Sequence, residues 1–157
     1  MGVSGSGKTT VGSSLAPLLG MRFVDADALH PASNVAKMSA GIPLTDADRW
    51  PWLDAVGRVL AEGSVVVACS ALQRSYRDRL RSAAPELRLV HLEGTRELLA
   101  ERMGGRDHFM GVALLDSQLA TLEAPGDDEA ALVYDVILPV AEIVSDAAAR
   151  LAGNVSA

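Results

Sequence analysis

Residues Gly2-Val3-Ser4-Gly5-Ser6-Gly7-Lys8-Thr9 match G-x-x-x-x-G-K-S/T at every fixed position. Glycines in such a run let backbone N–H groups turn inward without Cβ clashes and form a nest for an anion. Lys8 is expected to bridge the β- and γ-phosphates of a nucleotide, and the Thr9 hydroxyl to ligate Mg²⁺. The helix that follows presents its positive N-terminal end to the same phosphates. A second chemical pair follows in "DADALHP", where Asp25 and Asp27 close a strand-like stretch. Side chains alternate along a strand, so both carboxylates are expected on one side. One suits a Mg²⁺ shell, and the other suits the proton of an attacking hydroxyl.

Arg102 and Arg106 flank Gly104 and Gly105, where a hinged lid is expected over about residues 104–112. Arginines there would offset charge on a phosphoryl group in transit, and the glycines would permit closure. His30 and His108 stand singly, without the spaced partners of a zinc site, and offer hydrogen bonds to a substrate or sit at the surface. Arg74, Arg77 and Arg81 recur at helical spacing, the pattern of a solvated face. Trp50 and Trp52 suit either a sugar pocket or the core. Cys69 ends an apolar strand and reads as packing rather than as a nucleophile.

The elements that must hold these residues alternate. A helix is expected from Lys8 to about Leu19, stopped by Gly20 and troubled by Pro17. "RFVDAD" reads as a strand, and the Pro/Asn/Gly-punctuated stretch from His30 to Leu44 carries one short helix around "NVAKM". Thr45 and Asp48 make a capping-box pattern for a helix ending at Gly63. "SVVVACS" reads as a strand buried on both faces. "QRSYRDRLRSAA" is helical, "LRLVHLEG" a strand, Thr95 a helix cap, and "VALLDSQLATLE" a helix. "ALVYDVIL" is the last strand, and Pro139 opens the last helix. Strands alternating with helices predict an α/β fold, a parallel sheet with helices on both faces, in one domain. Only Met1 precedes the phosphate loop, so the central strand that usually carries it is missing from the sequence. The natural start is expected upstream.

At 157 residues the chain can bury a substantial core, which its 4% aromatics leave to Ala, Val and Leu. A net charge of -6 argues against a general nucleic-acid binder, while leaving room for small anionic substrates held by clustered arginines. No run approaches the length of a membrane span and no signal peptide is legible. One cysteine fits a reducing compartment, so the cytoplasm is expected.

"GVSGSGKT", "DADALHPASNVAKMSAGIPLTDADRWPWL", "CSAL" with "YRDRLR", "HFM" and "LLDSQLATLE" together resemble the bacterial gluconokinases. The resemblance runs in order from residue 2 to about residue 129, and the long block after Asp25 is its most specific part. It implies the P-loop kinase fold shared with shikimate and adenylate kinases, with a lid and a substrate-binding helical segment of about residues 28–52. It also implies ATP-dependent, Mg²⁺-assisted phosphorylation of D-gluconate at its 6-hydroxyl, often by a homodimer, with no nucleic-acid or membrane partner. Carried over, Gly2, Val3, Ser4, Gly5, Ser6, Gly7, Lys8, Thr9, Thr10 and Arg102 bind the nucleotide. Lys8, Asp27 and Arg106 are catalytic, and Thr9 and Asp25 hold the metal. Asp27, His30, Arg49, Arg77 and His108 bind substrate, Arg49 taking the carboxylate. Gln73 stands where the family has lysine after "CSAL", and Gly111 where it commonly has proline. A kinase of another small anionic hydroxy compound, such as shikimate, and a nucleotide-binding paralogue without turnover remain alternatives.

Overall fold

The computed structural model describes residues 1–104 and 109–153, and for 109–111 the backbone alone. Its elements run α1 (Lys8–Leu18), β1 (Arg22–Asp25), a 3₁₀ turn (Ala26–Leu29), α2 (Ala32–Ser39), α3 (Asp46–Ala61), β2 (Val65–Ala68) and α4 (Arg74–Ala83). They continue with β3 (Val90–Glu93), α5 (Arg96–Arg102), α6 (Phe109–Thr121), a 3₁₀ turn (Asp127–Glu129), β4 (Leu132–Asp135) and α7 (Val140–Ala152).

The strands form two parallel pairs. Phe23 of β1 lies beside Val66 of β2, and His91 of β3 beside Val133 of β4. Alternation along β1 and β2 turns Phe23 and Val66 toward α1, where a Cβ on Gly12 would come within 2.8 Å of the Phe23 ring. Val67 points the other way and joins Trp52, Leu53, Val56, Tyr76 and Leu80 beneath α3 and α4. The sheet is therefore covered on both faces. A second apolar cluster joins α1, α5, α6 and α7 through Leu15, Leu99, Leu115 and Ile143 to Leu92 and Tyr134 of β3 and β4.

Met1 and Gly2 link the two pairs. The Met1 ammonium donates to the Val90 carbonyl, its carbonyl accepts from Leu92 N–H, and Gly2 N–H donates to the Ser70 carbonyl. Beyond Met1, β2 and β3 are separated by an apolar slot of about 920 Å³, lined among others by Val65, Val67, Leu89 and Leu92. The slot explains why Val65, Val66 and Val67 are only half-buried, where their sequence predicts full burial.

Several local expectations are met with small shifts. Thr45 caps α3 by accepting from Asp48 N–H, and the Asp48 carboxylate accepts in return from Thr45 N–H at 2.9 Å. Thr95 caps α5. Pro139 stands at the N-cap of α7, one position before the helix. Pro17 is accommodated in the last turn of α1, and Gly20 follows in the left-handed region, where a side chain would be strained.

Candidate active site

The loop from Gly2 to Gly7 is shaped by its glycines. Gly5 and Gly7 have φ of 80° and 84°, and a Cβ on Gly5 would meet the Leu99 carbonyl at 2.8 Å. Ser6 is buried, and its hydroxyl donates to the Val3 carbonyl at 2.8 Å, closing the loop on itself. Ser4 N–H donates to Gln118 Oε1 of α6 at 2.6 Å, a support the sequence motif did not announce. Gly7 is the N-cap of α1 and supplies no side-chain cap. The first-turn N–H groups of a helix have no intrahelical partner, so this end stands ready for an anion.

Lys8 Nζ donates to the Val3 carbonyl at 2.9 Å, above the loop. Burial lowers its pKa from the ordinary lysine value, and the charges of Asp27 and Asp25 partly restore it. Thr9 Oγ1 donates to Asp25 Oδ2 at 2.8 Å, so a hydroxyl and a carboxylate meet where the motif expects Mg²⁺. Two hard oxygens suit Mg²⁺, which takes one or two protein oxygens and fills its shell with phosphate and water. No cluster of three or more His, Cys, Asp or Glu exists among the described residues.

Asp27 needs a correction of geometry. The strand stops at Asp25, and Asp27 belongs to the 3₁₀ turn, with its N–H on Asp25 Oδ1 at 3.1 Å. Turn geometry, not strand alternation, sets its direction. Asp27 and Arg49 both lie close enough to His30 for their charges to act on it. The His30 ring stacks on Trp52, with centroids 4.4 Å apart and planes 10° from parallel. Burial lowers the His30 pKa, Asp27 opposes that shift, and Arg49 reinforces it. Arg49 sits in the first turns of α3, Nη1 3.3 Å from the Tyr76 hydroxyl and 3.5 Å from Asp46 Oδ1. Trp52 is buried and donates from Nε1 to the Ala26 carbonyl at 2.7 Å, so it is a core residue that also carries the histidine.

Arg77 is withdrawn from this group. Its side chain is 1% exposed and forms a two-armed ion pair with Glu129 at 2.6 and 2.8 Å. The remaining nitrogen donates to the carbonyls of Ala71, Leu72 and Glu123. With its donors consumed, Arg77 has nothing left for a substrate, and it is not part of a solvated stripe either. It braces the turn after β2, where Ala71 adopts a left-handed φ of 44°. Gln73, at the N-cap of α4, accepts from the Ser75 hydroxyl at 3.4 Å and caps nothing.

Arg102 borders the loop through a separate cavity. It donates to the Val136 carbonyl at 2.6 Å and lines a cavity of about 260 Å³ with Gly5, Gly7, Thr10, Leu138 and Val140. Arg106 and His108, with residues 105–108 of the expected lid, lie outside the described residues. Cys69 is buried with its thiol pushed up to about 11 by desolvation, which keeps it protonated and unreactive.

A phosphate nest, a hydroxyl–carboxylate pair and an Asp–His–Arg group on one edge of a parallel sheet describe a phosphotransferase. The shikimate kinase family model matches residues 4–130. The gluconokinase of Gluconobacter oxydans is 53% identical over 135 residues, spanning 82% of this chain and 76% of that protein. The chain belongs to the gluconokinase family. The crystal structure of a gluconokinase from Sinorhizobium meliloti superposes with a TM-score of 0.89 at 54% identity, covering 99% of this chain and 92% of that one. Shikimate kinase from Aquifex aeolicus, at 18% identity and a TM-score of 0.58, shares the fold. As a member of the gluconokinase family the chain is an ATP-dependent kinase with the α/β P-loop fold.

Proposed function

We propose that the chain phosphorylates D-gluconate at its 6-hydroxyl, consuming ATP and releasing ADP and 6-phospho-D-gluconate. What supports this reading is the Lys8 loop with its Thr9–Asp25 pair, and an Asp27 charge that acts on both Lys8 and His30, in a chain 53% identical to a gluconokinase. Arg49 supplies a fixed cation for the carboxylate of an aldonic acid. Asp27 accepts the proton of the 6-hydroxyl as its oxygen bonds to the γ-phosphorus. Lys8 and the loop N–H groups stabilise the charge on the transferred phosphoryl, and Arg106 adds to this from the lid of about residues 104–112. Thr9 and Asp25 hold Mg²⁺, which when bound neutralises the phosphate oxygens. Gly2 to Thr10 cradle the phosphates, and the cavity beside Arg102 takes the nucleoside end. His30 hydrogen-bonds the polyol, and His108 joins it from the lid.

The chain works as one domain in the cytoplasm, as a homodimer, feeding the pentose phosphate route, with no nucleic-acid or membrane partner. Among the described residues no helix is long and apolar enough to cross a membrane. The deciding experiment is coupled ADP release with Mg-ATP, alone and with D-gluconate, shikimate or other aldonic acids. Release that depends on gluconate and not on shikimate supports the reading. ATP binding without acceptor-dependent release would instead make the protein a nucleotide-binding relative without turnover.

A further inference from the structure

Asn34 is an uncharged residue in the first turn of α2, yet it is only 2% exposed. Its Nδ2 lies 2.8 Å from the Asp48 carbonyl oxygen and 3.3 Å from Nδ1 of His30. A carbonyl only accepts, so the atom facing Asp48 must be the amide nitrogen, not the amide oxygen. That settles the orientation of the side chain. One amide hydrogen goes to Asp48, and the second points at His30. Nδ1 therefore receives a hydrogen bond, holds a lone pair, and leaves the proton of the neutral ring on Nε2.

From this geometry we infer that Asn34 is a positioning residue that locks His30 in the Nε2–H tautomer, so that the ring offers the substrate a donor and not an acceptor. The inference rests on the reading of His30 as a substrate-binding residue. Three features hold the arrangement. The ring cannot turn over freely, because it is stacked on Trp52, itself pinned through Nε1 to the Ala26 carbonyl. Asp48 is fixed by the capping box and by Lys37 Nζ at 2.6 Å, so the carbonyl that orients Asn34 is itself anchored. Nε2 has no hydrogen-bond partner among the described residues and feels the charges of both Asp27 and Arg49. A polyhydroxy acid presents oxygens that accept, and an N–H fixed in direction selects the diastereomer whose hydroxyl oxygen stands in its line.

Long-range ¹H–¹⁵N correlation spectra of the wild-type protein, with His30 assigned by loss of its signals in His30→Gln, read the tautomer directly. The expected spectrum has His30 protonated on Nε2 at pH 7.5, and Nδ1 protonation would overturn the inference. Asn34→Asp places an acceptor opposite Nδ1, so the His30 proton is expected to move there. Gluconate KM should then rise about tenfold, the order of one lost hydrogen bond, with the ATP KM unchanged. His30→Gln, whose amide N–H can take the place of Nε2–H, should raise the gluconate KM much less than His30→Phe does. If Asn34→Asp does not fold, the wild-type spectrum and the His30→Gln and His30→Phe pair decide alone. Equal gluconate KM in wild type, His30→Gln and His30→Phe would sink the inference while leaving the kinase reading intact. Absence of gluconate turnover in wild type would remove the kinase reading, and the spectrum would still judge the tautomer.

Discussion

Lys8 and Asp27 have separable duties at the residue scale. Lys8 carries a charge needed most when the phosphoryl group is in transit, so Lys8→Ala should lower kcat by about 10²–10³-fold or more. In the proposed reaction Asp27 takes the acceptor's proton, so Asp27→Asn should lower kcat by about 10²–10⁴-fold with the ATP KM little changed. Initial rates with each substrate varied in turn check both, and an Asp27→Asn enzyme with wild-type kcat would exclude Asp27 as the base. Arg49 is held from behind by Tyr76, whose hydroxyl donates to Asp46 and receives a hydrogen bond from Arg49. Arg49→Lys keeps the charge but loses the planar fork that matches a carboxylate, so it should raise the gluconate KM without moving that of ATP.

Elements matter here because they carry side chains to the site from a distance. The Thr45–Asp48 capping box starts α3, and Arg49 lies in that helix's first turns beside the Asn34–Asp48 contact. Thr45→Ala should cost about 1 kcal/mol of stability. Because the same turn presents Arg49, the gluconate KM should rise with it, and thermal melts alongside kinetics separate the two effects. Arg77 ties α4 to the 3₁₀ turn before β4 through Glu129, 52 residues away, and to the turn after β2. Removing one partner strands a buried charge, so Arg77→Met should lose about 3–5 kcal/mol. Chemical denaturation measures that loss, and an Arg77→Met protein of wild-type stability would contradict the bracing role. Nothing in the 74, 77, 81 spacing separates Arg77 from its exposed neighbours, since a stripe on one helix does not reveal what packs over it.

Over the whole molecule, two features of the sheet bear on stability. His91 of β3 is buried, its Nδ1 unpartnered among the described residues. Burial, reinforced by the Arg77 charge, pushes the imidazole down to about 4. The folded protein thus refuses a proton that the unfolded chain accepts below its ordinary pKa of about 6.5. The His91 contribution to stability is full above that pH and should be lost as the pH drops toward 4. Urea midpoints measured across that window check this, and His91→Gln should flatten the dependence. The apolar slot between β2 and β3 is lined by side chains of both strands, Val65 and Val67 on one side and Leu92 on the other. An engineered extension of about five β-branched apolar residues before Met1 should fill it in parallel register and raise Tm. A polar extension of equal length is the control.

The local signals were legible because they depend on neighbours in sequence. The phosphate loop, the Thr45 and Thr95 caps, Gly20 and the strand–helix alternation each lie within a few residues of their partners. The resemblance in the block after Asp25 added the acceptor side. What only the tertiary structure decided are contacts across the chain. Burial of Arg77 on Glu129, support of Ser4 by Gln118 and the tilt of Asp27 by its 3₁₀ turn are not encoded in any one segment. Neither is the orientation of His30 by Asn34 and Trp52, a pair that reads as ordinary polar and core residues until packing sets them against the ring. Side-chain type and spacing determine which groups a segment can offer. Which of those groups are left free to meet a substrate depends on what the rest of the chain buries against them.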